Sequence, residues 1–167
     1  MKIIAPLVCF CLAGCASTYV PAYPIQTPYR AEDFSAWTGP GQATIKGQAF
    51  LKTVGGDVKT CAGATVTLLP ATAYNDEIFA AQKTYPGRDL TNIYGEADTF
   101  NWKSTCDAQG NFEFRNVPVR AWWIKTRVEW GIPMGYSTSW QGGDLASRVN
   151  LRPGENTVYL TGKDEIR

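Results

Sequence analysis

Between Trp122 and Trp130 the chain alternates with a strict period of two. Trp122, Ile124, Thr126, Val128 and Trp130 share one parity, and Trp123, Lys125, Arg127 and Glu129 share the other. Successive side chains of an extended chain point to opposite faces, so this segment reads as a long strand with one face in a core and charge on the other. Shorter stretches repeat the pattern. Ile45, Gly47 and Ala49 alternate with Thr44, Lys46 and Gln48, and further candidates are Ala64-Thr-Val-Thr-Leu-Leu69, Asn111-Phe-Glu-Phe114, Arg148-Val-Asn-Leu151 and Thr157-Val-Tyr-Leu160. Turn residues separate them: Gly55-Gly56-Asp57, Pro70, Asp107-Ala-Gln-Gly110 and Arg152-Pro-Gly-Glu155. About seven short strands with such turns predict an all-β fold, an antiparallel sandwich.

Residues 71–100 break the rhythm. Thr72 is placed to cap a short helix running toward Lys83, and Tyr85-Pro-Gly-Arg88 stops it. Residues 89–99 then read as irregular loop. A loop-helix excursion of this length is a common place for function on a rigid scaffold.

The N-terminus gives an address. Lys2 precedes an apolar run from Ile3 to Leu12, too short to span a bilayer, followed by Leu12-Ala13-Gly14-Cys15. Those last four residues resemble a bacterial lipobox, which implies cleavage after residue 14 and acylation of Cys15; the other reading is an ordinary secretory signal with Cys15 incidental. Ala16 and Ser17, with no aspartate, fit sorting to the outer membrane. A membrane partner through the N-terminal lipid anchor is expected, on the periplasmic side of the cell envelope. The expected organisation is a signal peptide at 1–14, a lipidated tether at 15–39 and a β-sandwich domain at 40–167. Pro21, Pro24 and Pro28 suggest an extended spacer. Phe34 and Trp37 near its end would either strap it to the domain or meet a partner.

Without the leader, and so without Lys2, fifteen basic residues balance fifteen acidic ones. That evenness argues against nucleic acid or an anionic membrane face as the main partner, since both want a basic excess. The sequence contains no histidine, which removes His-based triads, His-ligated metals and a histidine pH switch. Cys61 and Cys106 remain beyond the leader, and in an exported protein such a pair is first a disulfide candidate, with two buried free thiols as the alternative.

Residues 47–160 resemble carboxypeptidase regulatory-like domains, the transthyretin-like or prealbumin-like sandwiches related to Cna B-type repeats. The resemblance rests on Gly63-Ala64-Thr65-Val66-Thr67-Leu68, on the turn unit Thr105-Cys106-Asp107-Ala108-Gln109-Gly110-Asn111-Phe112-Glu113-Phe114, on Val117-Pro118 leading to Trp122, and on Val149 to Leu160 with Pro153-Gly154 at its centre. It implies a transthyretin-like, Ig-like sandwich, with Cys61 and Cys106 meeting at one end. Hydroxyisourate hydrolases of this fold rely on histidines and a C-terminal Tyr-Arg-Gly-Ser, both missing here. A Cna B-type isopeptide bond would join Lys46 to Asn150 or Asn156.

No catalytic constellation emerges, and no cofactor or metal is expected. Asp76 and Glu77 are neighbours and diverge on a helix; Glu96 and Asp98, with Asp89 nearby, read as solvated loop or as a weak calcium or acid-base candidate. Six tryptophans are the better clue. Trp122 and Trp130 read as core. Trp123, Tyr136, Trp140 and Tyr94 are the candidate partner-binding residues, with residues 131–140 taken as a glycine-rich loop flanked by aromatics. Core packing of Trp123 under the excursion is the competing reading. The expectation is a non-enzymatic envelope lipoprotein acting as a structural or protein-binding module, or alternatively a carbohydrate- or peptidoglycan-binding module using the same aromatics.

Overall fold

The computed structural model describes residues 20–166. The leader and Cys15 lie outside them. Eleven strands form among these residues, in chain order β1 (Tyr23–Pro24), β2 (Ala43–Lys52), β3 (Val58–Thr60), β4 (Thr65–Pro70), β5 (Leu90–Thr91), β6 (Trp102–Thr105), β7 (Asn111–Val117), β8 (Ala121–Met134), β9 (Ser137–Asn150), β10 (Gly154–Leu160) and β11 (Glu165–Ile166), with one α-helix, α1 (Ala73–Thr84). Two sheets face each other. In the first, β2 pairs along one edge with β10, in parallel, and along the other with β7 and then β3, both antiparallel. The second runs β11-β9-β8-β4-β6, antiparallel throughout. This is the expected mostly antiparallel sandwich with one long excursion.

The alternation that announced the strands also fills the core. Ile45 and Ala49 of β2, Val66 and Leu68 of β4, Phe112 and Phe114 of β7, and Trp122, Ile124 and Val128 of β8 are buried together. Gly47 faces Phe112 across the β2–β7 pair, and a β-carbon there would stand 2.2 Å from the phenyl ring. The missing side chain is what lets the ring lie across the strand. Cys61 and Cys106 form a disulfide with Cα atoms 5.8 Å apart, tying the end of β3 to the end of β6. The turn unit behaves as its residues imply. The Asp107 carboxylate accepts the amides of Gln109 and Asn111, while Gly110 takes a φ of 81°.

Helix α1 begins at Thr72, whose hydroxyl accepts the Asn75 amide at 3.3 Å. It lies on the outer face of the second sheet. Phe79 stacks on Trp123 with ring centroids 4.3 Å apart, and the Asp76 carboxylate accepts the Trp123 indole N–H and the Arg148 guanidinium.

Phe34 and Trp37 strap the tether to the domain, the first of their two readings, while two expectations change. The proline-containing stretch is bound along with them from Pro21 onward and is not an extended spacer. Strand β1 pairs in parallel with β5, Ile25 and Phe34 are buried among Tyr74, Ala81 and Ala97, and the Trp37 indole donates to the Ala121 carbonyl. Strap and excursion cover each other's apolar surface, which neither segment could do alone. Residues 131–140, read as a loop, are the paired end of a β8–β9 hairpin that turns at Gly135-Tyr136, with Gly135 at a φ of 61°.

Glu77 holds the strap by accepting the backbone amides of Gln26 and Thr27, each at 2.7 Å. The Gln26 amide first, then Thr27, hold its carboxyl below the ordinary value of 4.5. A depressed carboxylate contributes stability that is complete above the ordinary value and lost as pH falls through the folded one. Protection of the amides of residues 23–27, relative to their intrinsic exchange rates, is therefore expected to fall as pH drops below the ordinary value of 4.5, with Glu77→Gln producing the same loss at neutral pH. Exchange rates unchanged by that substitution would show that the strap is held by packing alone.

Candidate functional site

The outer face of the second sheet divides into three zones along β8 and β9. At the start of β8, Trp123 and Arg148 are covered by α1, as described above. In the middle, Lys125 and Arg127 both reach Asp144 of β9, at 3.2 and 2.8 Å. This acid fixes two long cations in place, and its bond holds the Arg127 guanidinium more firmly protonated than usual. Beside them opens a cleft of about 350 Å³, lined also by Thr65, Thr67, Lys103, Asp98 and Asn101. Asp98 and Asn101 come from the 3-10 helix Gly95–Phe100 and the residue after it, so the excursion forms one wall. The Asn101 side-chain oxygen is buried without a hydrogen-bond partner. A buried acceptor left unmet is costly unless a donor arrives.

Past Trp130, which still packs against the core, the hairpin continues as a two-stranded ribbon. Trp140 pairs with Gly131, on the face that carries Arg127 and Glu129 by alternation. A β-carbon on Gly131 would stand 2.6 Å from Thr138 Cγ2 and in ordinary contact, at 3.8 and 3.9 Å, with the indole carbons Cζ3 and Cη2, so the glycine accommodates Thr138 while the Trp140 ring lies beside it. Trp140 is 67% exposed. From Arg127 to Gly131 is four residues, about 13 Å of strand. Tyr136 stands fully exposed at the turn, while Ile132 and Met134 are exposed on the opposite face of the ribbon.

The four residues singled out by sequence do not form one surface. Tyr136 and Trp140 share the hairpin. Trp123 is half-buried under Phe79, held by Asp76, and belongs to the packing between helix and sheet. Tyr94 sits in the strap–excursion cluster, its ring 6.0 Å from Tyr29 and its amide donating to the Tyr74 hydroxyl. Lys46 reaches Glu155 at 2.6 Å, and Asn156 staples the β9–β10 turn through Arg152 and Gly154, so the isopeptide partners are engaged elsewhere.

Sequence reading missed the cleft. Lys125 and Arg127 were legible as an outward face, but Asp144 and Asn101 carried no recognisable signal. It also missed Tyr159, the outward residue of β10, which borders an open groove of about 580 Å³ with Lys46, Gln48, Asn111, Glu113 and Thr157 on the other sheet. Alternation along Thr157-Val-Tyr-Leu160 was enough to place it outside. Among the described residues no group of three or more histidines, cysteines or carboxylates is arranged to hold a metal.

No family model matches the chain, and no curated protein matches it. Among solved structures it is similar to a "putative carbohydrate binding protein" from Pseudomonas aeruginosa, with 23% identity over 80% of this chain and 97% of that one and a TM-score of 0.67. At that identity the likeness shows the fold. Chlorocatechol 1,2-dioxygenase from Pseudomonas putida aligns at 14% identity over 84% of this chain and 70% of that one, and its TM-score of 0.32 carries no argument. Together with the sheet topology, this likeness to the Pseudomonas aeruginosa protein defines a β-sandwich module.

Proposed function

We propose that this protein is a carbohydrate-binding module of the bacterial cell envelope, with the sugar chain lying along the outer face of the second sheet from the Lys125–Asp144–Arg127 cleft to Trp140. The exposed indole beside Gly131 is the observation that carries this reading. A sugar ring has an apolar C–H face that stacks on an aromatic and a hydroxyl rim that needs paired donors and acceptors. Trp140 supplies the first, and the cleft, with its charged groups and threonines, supplies the second. The description of the Pseudomonas aeruginosa protein points the same way. Acylation at Cys15 would hold the module where envelope glycans are.

Binding is to be measured by calorimetry against soluble peptidoglycan fragments and a panel of envelope oligosaccharides. Trp140→Ala is expected to weaken binding about tenfold or more, the scale of an aromatic anchor. Its thermal midpoint should stay close to that of the parent, because an exposed side chain contributes little to stability. Undiminished affinity in the variant would remove the platform from the reading, and absence of binding across the panel would remove the reading itself.

A second reading has its own observation. Ile132 is 42% and Met134 61% exposed on the ribbon face away from Trp140, with Tyr136 at the tip. Such a projecting apolar edge suits a protein partner in the envelope. Crosslinking from membranes that depends on Ile132 and Met134 but not on Trp140 would favour it.

A further inference from the structure

We infer that the end of the domain from which the chain leaves toward Cys15 rests against a phospholipid bilayer, with Val20, Tyr85, Arg88 and Ile93 as the contact. This rests on the proposed acylation of Cys15 and adds to it which surface the anchor presents. The argument is one of length. The chain is bonded to the domain from Pro21 onward: the Pro21 carbonyl accepts from Arg88 Nε, the Tyr23 amide donates to the Asp89 carbonyl at 2.8 Å, and the Ile25 amide donates to the Thr91 carbonyl at 3.0 Å. Only five residues, 16–20, therefore lie between the acylated cysteine and the first fixed point. Even fully extended, the six steps from Cys15 to Pro21 reach about 20 Å, of which several are spent within the headgroup layer. A domain of this size is about 30 Å or more across. So short a leash does not let the domain turn its far side to the membrane.

The chemistry at the exit suits that position. Tyr23 and Tyr85 stack with centroids 5.1 Å apart, and the Arg88 guanidinium lies 5.9 and 5.3 Å from their ring centres. Val20, Ile93 and Tyr85 are exposed around this group. Tyrosines with an arginine are side chains that the headgroup boundary favours, the rings at the apolar edge and the guanidinium on phosphate. Asp89 lies beside Arg88, so the patch is not polybasic and depends on the acyl chains for its strength. Among the described residues no helix is long and apolar enough to cross a membrane, which leaves contact at the surface.

The test uses the full-length acylated chain in phospholipid vesicles, with the photo-crosslinker benzoylphenylalanine placed at Tyr85, at Ile93, or at Tyr159. Tyr159 is exposed on the outer face of the first sheet, the far side of the sandwich from α1. Lipid adducts several-fold more abundant at 85 and 93 than at 159 are the expected result, and they should vanish for Cys15→Ala. Equal adducts at all three positions, or none at 85 and 93 although mass spectrometry finds the acyl chains on Cys15, would overturn the inference alone. An unmodified Cys15 in the membrane-extracted protein would overturn it through its premise and leave glycan binding to be judged on its own experiment.

Discussion

Replacing Cys61 and Cys106 together with alanine is expected to lower stability by about 4 kcal/mol, the chain-entropy value for a loop of this length. The bond closes 45 residues of chain. That loop contains β4, α1, the short helix with Asp98 and β6, so it encloses the whole excursion that walls the cleft. Unfolded chain with the bond intact has far fewer conformations open to it, and the two cysteines are buried in the sandwich core with relative exposures of 1% and 4%. For a domain of this size the loss corresponds to a fall of about 10 °C in thermal midpoint. Urea unfolding of the oxidised protein and the double variant measures it directly. A difference under about 1 kcal/mol would mean that the reduced unfolded state already keeps the two ends together, contrary to the entropic account.

How much of this molecule could be read from its residues depends on how far each signal reaches. Alternation is local, and it located β2, β4, β7, β8 and β10 and sorted their inward and outward sides. The Asp107–Gly110 turn and the Thr72 cap are local too, and both stand where the residues put them. Pairing is not local. The partner of Trp123 is Phe79, forty-four residues away; the reading that the excursion covers the indole holds, but the sequence could not name the residues of α1 that do so. The strap was legible only at Phe34 and Trp37, for a related reason. Prolines and tyrosines without a period look like spacer, and only the apolar groups exposed by the excursion give them something to cover. Most of strand β9 was the largest omission: its end at Arg148-Val-Asn was legible, but Gln141-Gly142-Gly143-Asp144 carries turn residues, even though β8 templates the strand along its full length. With this part of β9 unread, Asp144 had no place beside Lys125 and Arg127, and the cleft stayed out of sight while Trp140 and Tyr136 were already suspected.

Trp122→Ala is expected to cost about 3 to 5 kcal/mol, the range for emptying a large aromatic site in a packed core. Trp122 is fully buried, packs edge-on against Trp102 at 6.1 Å, and donates its indole N–H to the Pro118 carbonyl at 3.0 Å. Truncation therefore opens a cavity and strips a buried carbonyl of its donor, two penalties that add. Trp122→Phe fills most of the volume but keeps the second penalty, so its loss should be near 1 to 2 kcal/mol. Because β8 carries both Trp122 inside and Arg127 outside, the strand offers an internal control on the proposed site. At temperatures where Trp122→Ala remains folded it should bind sugar like the parent, whereas Trp140→Ala should bind poorly while unfolding like the parent. Chemical unfolding and calorimetry on the same samples give both quantities. If Trp122→Ala loses binding in step with Trp140→Ala, the outer face is not an independent platform, and the ligand must be read by the core geometry that sets the strand.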